Sequence, residues 1–392
     1  MTNKLRSSTG EILGQLARIA AQPYEKAKEW KKLNNKKVMG CFPMHCPEEL
    51  IHAAGVLPIL LQESDVPVTV GHAYYYPFFC GLTRSVIDQA AKGDLDFLDG
   101  VIVGDYCIQV VGAGEVLGVL LPKVNNMFFR LPVGNQLWTL ADITQALREI
   151  KRDIERFVGK EIEKESIRDS IRVYNKNRSL IRELYQRRLS DTGILNSREM
   201  VSIVKSSMII PKEEHNVILE NLLTSLANRR VSKKEGVRVF VSGSLCGAPK
   251  YDILSAIEQS GAVVVNDDIF HGYRYVSTDV NESEEPLEAL AARYVEKNKD
   301  VPCPTRCDPQ SNWPEYLIDA IRKSGAAYLV ILMAKYCEPH MFFYPDIKEA
   351  MDKAEIPHLL IEMEHEVVSL ESLRTRIEAF MEVGQNKRRA RG

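Results

Sequence analysis

Val101-Ile102-Val103-Gly104-Asp105-Tyr106-Cys107 and Tyr328-Leu329-Val330-Ile331-Leu332-Met333-Ala334-Lys335-Tyr336-Cys337 decide the fold. Each is a short unbroken apolar run that stops at small or polar residues and then reaches a cysteine. Strands covered on both faces read this way, whereas a half-solvated strand alternates. Each run therefore predicts a central strand of a parallel sheet that delivers a thiol to the sheet's C-terminal edge. Open α/β sheets bind their ligands at that edge. Cys80 occupies a comparable boundary, where Tyr74-Tyr75-Tyr76-Pro77-Phe78-Phe79 gives way to Gly81.

Outward from these runs, shorter strand-like segments fall at residues 37–42, 56–61 and 127–131 in the first part, and at 237–241, 262–265 and 358–361 in the second. Helix-periodic text separates most of them. Residues 11–34 read as one helix with Ile12, Leu13, Leu16, Ile19 and Ala20 on a stripe. Pro47 suits a first helical turn before residues 48–54, and Glu48 and Glu49 beside it suit the helix dipole. Further helices are expected at 251–260, 285–296, 313–324, 347–354 and 370–383. Between about residues 140 and 229 the text is charged and helix-periodic, without a strong strand. Strands alternating with helices imply right-handed crossovers and parallel pairing. The expected class is α/β, with two doubly wound parallel-sheet lobes and a helical middle segment. The boundaries are 1–135 for a lobe carrying Cys80 and Cys107, 136–234 for the helical connection, and 235–392 for a lobe carrying Cys337.

A chain of 392 residues, 45% hydrophobic, holds more than one core's worth of apolar side chains. A net charge of −2 gives no nucleic-acid footprint. The longest apolar stretch, 101–121, is broken by Asp105, Gln109 and Glu115, which argues against a membrane span. No signal-peptide pattern opens the chain, so a reducing, cytoplasmic setting is expected and disulfides are not.

Eight cysteines remain to be explained. A single free cysteine usually packs as a small hydrophobe, and no CxxC or ferredoxin-like run is present. Cys303 and Cys307 fall among prolines and read as a surface loop. Cys80, Cys107 and Cys337 differ because distant segments would bring them to one rim. Iron–sulfur clusters require such thiolates, and three of them would leave one iron open, as catalytic zinc sites keep one position free. No GxxxxGK[ST] loop occurs, and Gly112-Ala113-Gly114-Glu115-Val116-Leu117-Gly118 carries Leu117 where a dinucleotide fingerprint needs its third glycine.

Gly40-Cys41-Phe42-Pro43-Met44-His45-Cys46-Pro47-Glu48-Glu49-Leu50-Ile51-His52-Ala53-Ala54-Gly55-Val56-Leu57-Pro58 resembles the opening segment of the 2-hydroxyacyl-CoA dehydratase and benzoyl-CoA reductase family. Phe79-Cys80-Gly81-Leu82-Thr83-Arg84-Ser85, Asp105-Tyr106-Cys107 and Tyr336-Cys337-Glu338-Pro339-His340 resemble its three cysteine segments, in order. Within the family the text is most similar to the smaller of the two cluster-binding subunits of ATP-dependent (class I) benzoyl-CoA reductase. The resemblance implies that Cys80, Cys107 and Cys337 hold a 4Fe–4S cluster or a variant of one. It also implies very low-potential electron transfer to an acyl-CoA, with ATP hydrolysed on a partner rather than on this chain. The implied partners are a homologous sister cluster subunit, ATPase activator-type subunits sharing a 4Fe–4S cluster, and ferredoxin as donor. Dearomatisation of benzoyl-CoA to a dienoyl-CoA, 2-hydroxyacyl-CoA dehydration through a ketyl radical, and a non-catalytic relay or scaffold role all remain open.

Around that centre, Cys41, Cys46 and His45 are candidates for its surroundings. Tyr76 and Phe79 would either exclude water beside the substrate or pack into the core. His45 and His52 would deliver protons or simply cap and face solvent. Ser242, Gly243 and Gly247 form a strand-to-helix turn that suits an anion such as a CoA phosphate, or serves as a plain turn.

Overall fold

The computed structural model describes residues 8–132, 140–227, 229, 233–306, 312–366 and 370–389. In chain order the first part holds α1 (Thr9–Ala21), α2 (Pro23–Asn34), β1 (Val38–Cys41), α3 (Glu48–Ala53), β2 (Leu57–Leu60), α4 (Gly81–Ala91), β3 (Gly100–Gly104), α5 (Ile108–Leu120) and β4 (Asn125–Phe129). A helical stretch follows: α6 (Leu140–Val158), α7 (Lys164–Ser190), α8 (Ser197–Ser207) and α9 (Lys212–Ala227). The last part holds β5 (Val237–Gly243), α10 (Tyr251–Gln259), β6 (Ala262–Asp267), α11 (Tyr273–Val276), α12 (Pro286–Asp300), α13 (Trp313–Lys323), β7 (Tyr328–Ala334), α14 (Glu338–Lys353), β8 (His358–Met363) and α15 (Leu370–Arg389).

Both sheets are parallel and have four strands in matching order, β2-β1-β3-β4 and β6-β5-β7-β8. This is the doubly wound α/β arrangement expected from the sequence. The interior strands are buried along nearly their whole length because helices cover both faces, which explains their continuous apolar runs. In each sheet the strand order reverses between the first and third strands, so the crevices lie at β1/β3 and β5/β7.

Two helices differ from expectation. The single N-terminal helix is two, because Pro23 lacks the N–H that would continue α1 and instead starts α2. Helix α14 begins at Glu338, well before residue 347, with Pro339 in its first turn and Pro345 inside it. An internal proline removes only one helical hydrogen bond, and the buried Ile347 and Met351 hold the continuing turns against the second sheet.

The helical stretch is not an isolated connector. Its buried stripe, including Ile143, Leu147, Ile150 and Ile154 of α6 and Ile181 and Leu184 of α7, belongs to the same core as the first sheet. Helix α12, from the long crossover between β6 and β7, joins that core through Leu290 and Tyr294. A buried ion pair ties α3 to α7: Arg178 Nη1 lies 2.8 Å from Glu49 Oε1, and Arg178 Nη2 donates to Asn175 Oδ1 at 2.7 Å. Among the described residues no helix is long and apolar enough to cross a membrane.

Candidate metal centre

The C-terminal rims of the two sheets face one cavity, whose lining includes Cys80, Cys107, Cys246, Cys337, Glu63 and His365. Cys80 and Cys107 come from the first sheet's loops, Cys246 and Cys337 from the second's. The structure thus brings together the three cysteines singled out in the sequence and adds a fourth.

Each of the three expected cysteines is the N-cap residue of a helix: Cys80 of α4, Cys107 of α5 and Cys337 of α14. None uses its side chain to close the helix end. Three positive helix ends therefore converge on one space, where they favour negative charge. Burial works the other way and wins for the bare thiols. It pushes Cys80 up to about 11 despite hydrogen bonds from Thr83, and Cys337 up to about 12 with further repulsion from Cys80. Burial raises Cys107 as well. Thiols held neutral at such a site become thiolates when a metal supplies the compensating charge.

Among the described residues, no three His, Cys, Asp or Glu side chains stand close enough to hold a single metal ion. Thiols that grip a polynuclear iron–sulfur core are spaced by the core itself, and four loops around one cavity fit that requirement. Below Cys337, one turn into α14, His340 is fully buried with neither ring nitrogen hydrogen-bonded. Its ring packs against Trp313, with centres 5.0 Å apart, and does not line the cavity.

Gln109, two residues past Cys107, joins the three cysteine loops. Its Oε1 accepts from the Cys80 backbone N–H at 2.7 Å, and its Nε2 donates to the Tyr336 carbonyl at 2.8 Å. The Tyr75 hydroxyl donates to its carbonyl. No sequence pattern marked this residue, because its partners lie 29 and 227 positions away. Gln109→Leu keeps the bulk but removes both bridges. It is expected to weaken iron retention by roughly 10–100-fold, the usual cost of losing the shell that orients metal ligands. Titration with an iron chelator, compared with the unaltered protein, measures this. Equal iron loss from both would assign Gln109 to packing alone.

A second cross-lobe contact closes the cavity wall. His365 Nδ1 lies 2.7 Å from Glu63 Oε1, and His365 Nε2 lies 2.9 Å from the Val66 carbonyl. Burial draws the imidazole down, but the Glu63 carboxylate outweighs it, so His365 holds its proton above the ordinary histidine range. Gly81 and Gly247 leave room for that carboxylate: a Cβ at Gly81 would stand 2.7 Å from Glu63 Oε1, and one at Gly247 would collide with Oε2.

The other residues expected near the centre are placed as follows. Cys41 and Cys46 are buried beside each other in the first core, off the cavity lining, and burial raises both thiols. His45 is also buried, edge-on to Tyr106 with ring centres 5.3 Å apart. Tyr106 itself lines the cavity and donates to the Pro43 carbonyl, so it stands between these residues and the thiols. His52 bridges Ser170 of α7 and Glu213 of α9. The aromatic run divides. Tyr75 and Phe79 pack on the first core, whereas Tyr76 is 63% exposed and stacks on the exposed Phe78. None of these rings lines the cavity, so neither Tyr76 nor Phe79 is part of its wall. The turn at Ser242, Gly243 and Gly247 already uses two of its backbone donors within the protein. Gly243 N–H donates to Asp268 and Ser244 N–H to Leu332, while the Glu63 carboxylate occupies the face of Gly247. Cys303 is buried, 2.9 Å from the Thr305 hydroxyl, and Cys307 lies outside the described residues.

The chain is similar along nearly its whole length to subunits of acyl-CoA-processing enzymes. It is 24% identical over 377 residues to the beta subunit of (R)-phenyllactyl-CoA dehydratase from Clostridium sporogenes, covering 96% of this chain and 99% of that one. It is 24% identical over 362 residues to the C-type subunit of benzoyl-CoA reductase from Thauera aromatica, covering 90% and 92%. It is 27% identical over 378 residues to the beta subunit of (R)-2-hydroxyglutaryl-CoA dehydratase from Acidaminococcus fermentans, covering 95% and 98%. Residues 43–383 match the family model described as the D-component of 2-hydroxyglutaryl-CoA dehydratase, and the chain belongs to that family.

Proposed function

We propose that this chain is the iron–sulfur subunit of an ATP-dependent benzoyl-CoA reductase, with Cys80, Cys107 and Cys337 as ligands of a 4Fe–4S cluster. The observation that carries the reading is the convergence of these three thiols, each on a helix N-terminus, at one cavity between two switch-point crevices. When bound, the cluster supplies single electrons at the low end of the iron–sulfur range, on the order of −700 mV at the extreme. The chain's own residues do the rest. Leu82, Val110 and Met363 line the cavity with apolar surface and limit water there. The Glu63–His365 pair keeps a proton at the cavity wall, where His365 Nδ1 meets the Glu63 carboxylate.

The activity requires partners: a homologous sister subunit, an ATPase activator and a ferredoxin, working on an acyl-CoA in the cytoplasm. Exposed apolar side chains support a partner at this face. Ile108 follows Cys107 and is 73% exposed, Phe342 in α14 is 83% exposed, and Tyr76 and Phe78 precede Cys80. Each cysteine loop thus presents uncovered apolar surface of the kind that marks protein interfaces.

A 2-hydroxyacyl-CoA dehydratase is the second reading, favoured by the dehydratase beta subunits among the relatives. Electron stoichiometry separates the two. The complex co-purified with its partners is expected to oxidise a strong reductant continuously with benzoyl-CoA and ATP. Turnover of a 2-hydroxyacyl-CoA on trace reductant, with none on benzoyl-CoA, would establish the dehydratase.

A further inference from the structure

We propose that Lys297 of α12 is a carbamylation site, where the side-chain amine takes up CO2 and the resulting carbamate pairs with Arg293. Lys297 does not line the thiol cavity, and the inference stands apart from the cluster.

Helix α12 lies in the crossover between β6 and β7 and turns one face inward. On that face Arg293 is 9% exposed and Lys297, one turn further on, is half-buried. The Lys297 ammonium sits over the ring of the buried Phe270, 5.8 Å from its centre. The nearby buried carboxylates are already engaged. Glu49 pairs with Arg178 at 2.8 Å, and Asp268 with Arg274 at 3.2 Å. Glu48 accepts from the Tyr275 hydroxyl at 2.8 Å and faces Lys212 at 3.7 Å. Among the described residues neither Arg293 nor Lys297 has a salt-bridge partner. Arg293 donates through Nε to the Thr278 carbonyl at 2.9 Å and receives only longer-range attraction from Glu49.

The charges acting on Lys297 are therefore mostly of its own sign. Arg293, Arg274 and Arg178 repel it, and Glu48 attracts it. Burial together with that repulsion draws the amine down to about 7, so a large share is unprotonated at neutral pH. An unprotonated amine is a nucleophile. Its lone pair attacks the carbon of CO2, a C–O π pair moves onto oxygen, and the nitrogen releases one proton to water. The product is a carbamate, formed without oxidation or reduction and with CO2 as the only co-reactant. A cation is removed and a carboxylate takes its place. Arg293, four residues earlier on the same helix, gains the partner it lacks, and repulsion from Arg274 and Arg178 becomes attraction. Lys297 is only partly covered, which leaves a path for a molecule as small as CO2.

The test uses the full complex, equilibrated with isotopically labelled CO2 at mildly alkaline pH. A trialkyloxonium salt then fixes any carbamate as a stable ester. Peptide mass spectrometry should place the labelled ester on Lys297 and not on exposed lysines such as Lys32 and Lys36. Absence of the ester from Lys297, or equal labelling of those surface lysines, would overturn the proposal. CO2 should also raise the melting temperature of the unaltered complex, because a ligand taken up only by the folded state stabilises it. A melting temperature indifferent to CO2 would sink the idea, and that readout depends on no variant's folding. Lys297→Met should lack the rise, and an equal rise in that variant would assign the effect to other lysines. Arg293→Gln keeps the amine but removes the carbamate's partner, so the trapped fraction should fall several-fold. An unchanged fraction would overturn the pairing. Iron content enters none of these measurements, so their outcome is separate from that of the cluster assignment.

Discussion

Cys107→Ser is expected to strip iron from this subunit even with its partners bound, and Cys80→Ser and Cys337→Ser should do the same. The reason is the competition described at the helix ends. Burial holds the bare thiols protonated, pushing Cys80 to about 11 and Cys337 to about 12. The helix ends and nearby hydrogen bonds offset only part of that burial, and metal ligation would supply the rest. A serine hydroxyl ionises far less readily than a thiol and is a harder, poorer ligand for iron. Changes that merely reorient ligands cost roughly 10–100-fold in affinity, and loss of a ligand should exceed that. Iron and acid-labile sulfide, measured per subunit, give the answer. A Cys107→Ser protein with full iron would remove that residue from the ligand set. Cys303→Ser, whose thiol bonds within its own loop at Thr305, should leave iron unchanged.

The second large effect is on stability. Arg178→Met is expected to cost about 3 kcal/mol, because it removes the guanidinium hydrogen-bonded to the buried Glu49 carboxylate and leaves that charge with only the longer-range attraction of Arg293. In a chain of this size that lowers the melting temperature by roughly 4 °C. Changing both Arg178 and Glu49 to Met should recover part of the loss, since the carboxylate no longer lacks its partner, although the buried Arg293 then loses the attraction of Glu49. A double variant as unstable as the single would show that packing, and not charge, was lost. The pair also sets an acid limit. Burial alone would raise the Glu49 carboxyl, but Arg178 and Arg293 overcome it and hold the group down at about 2. A depressed carboxyl contributes its stability above the ordinary carboxylate value near 4.5 and loses it as pH falls toward 2. Acid unfolding of the unaltered protein should therefore steepen in that window, and the double Met variant should lack this component.

Much of the fold was legible because its interior strands are buried on both faces. All eight strands coincide with short apolar runs, and the periodic charged text between the sheets is helical throughout most of its described residues. Prolines caused the errors. Pro23 divided a stripe that looked continuous, and Pro345 hid the first turns of α14, so Cys337 was not seen to cap a helix. At the site, Cys80, Cys107 and Cys337 stood out because each ends a recognisable segment. Gln109, Glu63, His365 and Cys246 did not. Their significance lies in contacts between distant loops, and Gln109 sits in a helix whose residues give no local hint of bonds to Cys80 and Tyr336. The aromatic run 74–79 showed the opposite limit, since composition alone does not reveal which rings face inward and which outward.

No strand is shared by the two sheets, so near the cavity their rims are held to each other by side-chain bridges such as Gln109 to Tyr336 and Glu63 to His365. A metal centre that needs thiols from both rims binds only the arrangement in which the rims meet. By mass action it enriches that arrangement, by about 2.7 kcal/mol at a hundredfold excess over its dissociation constant. Loading and closure are then one equilibrium. A filled centre would act as a clasp, adding metal bonds to the side-chain bridges that already join the rims.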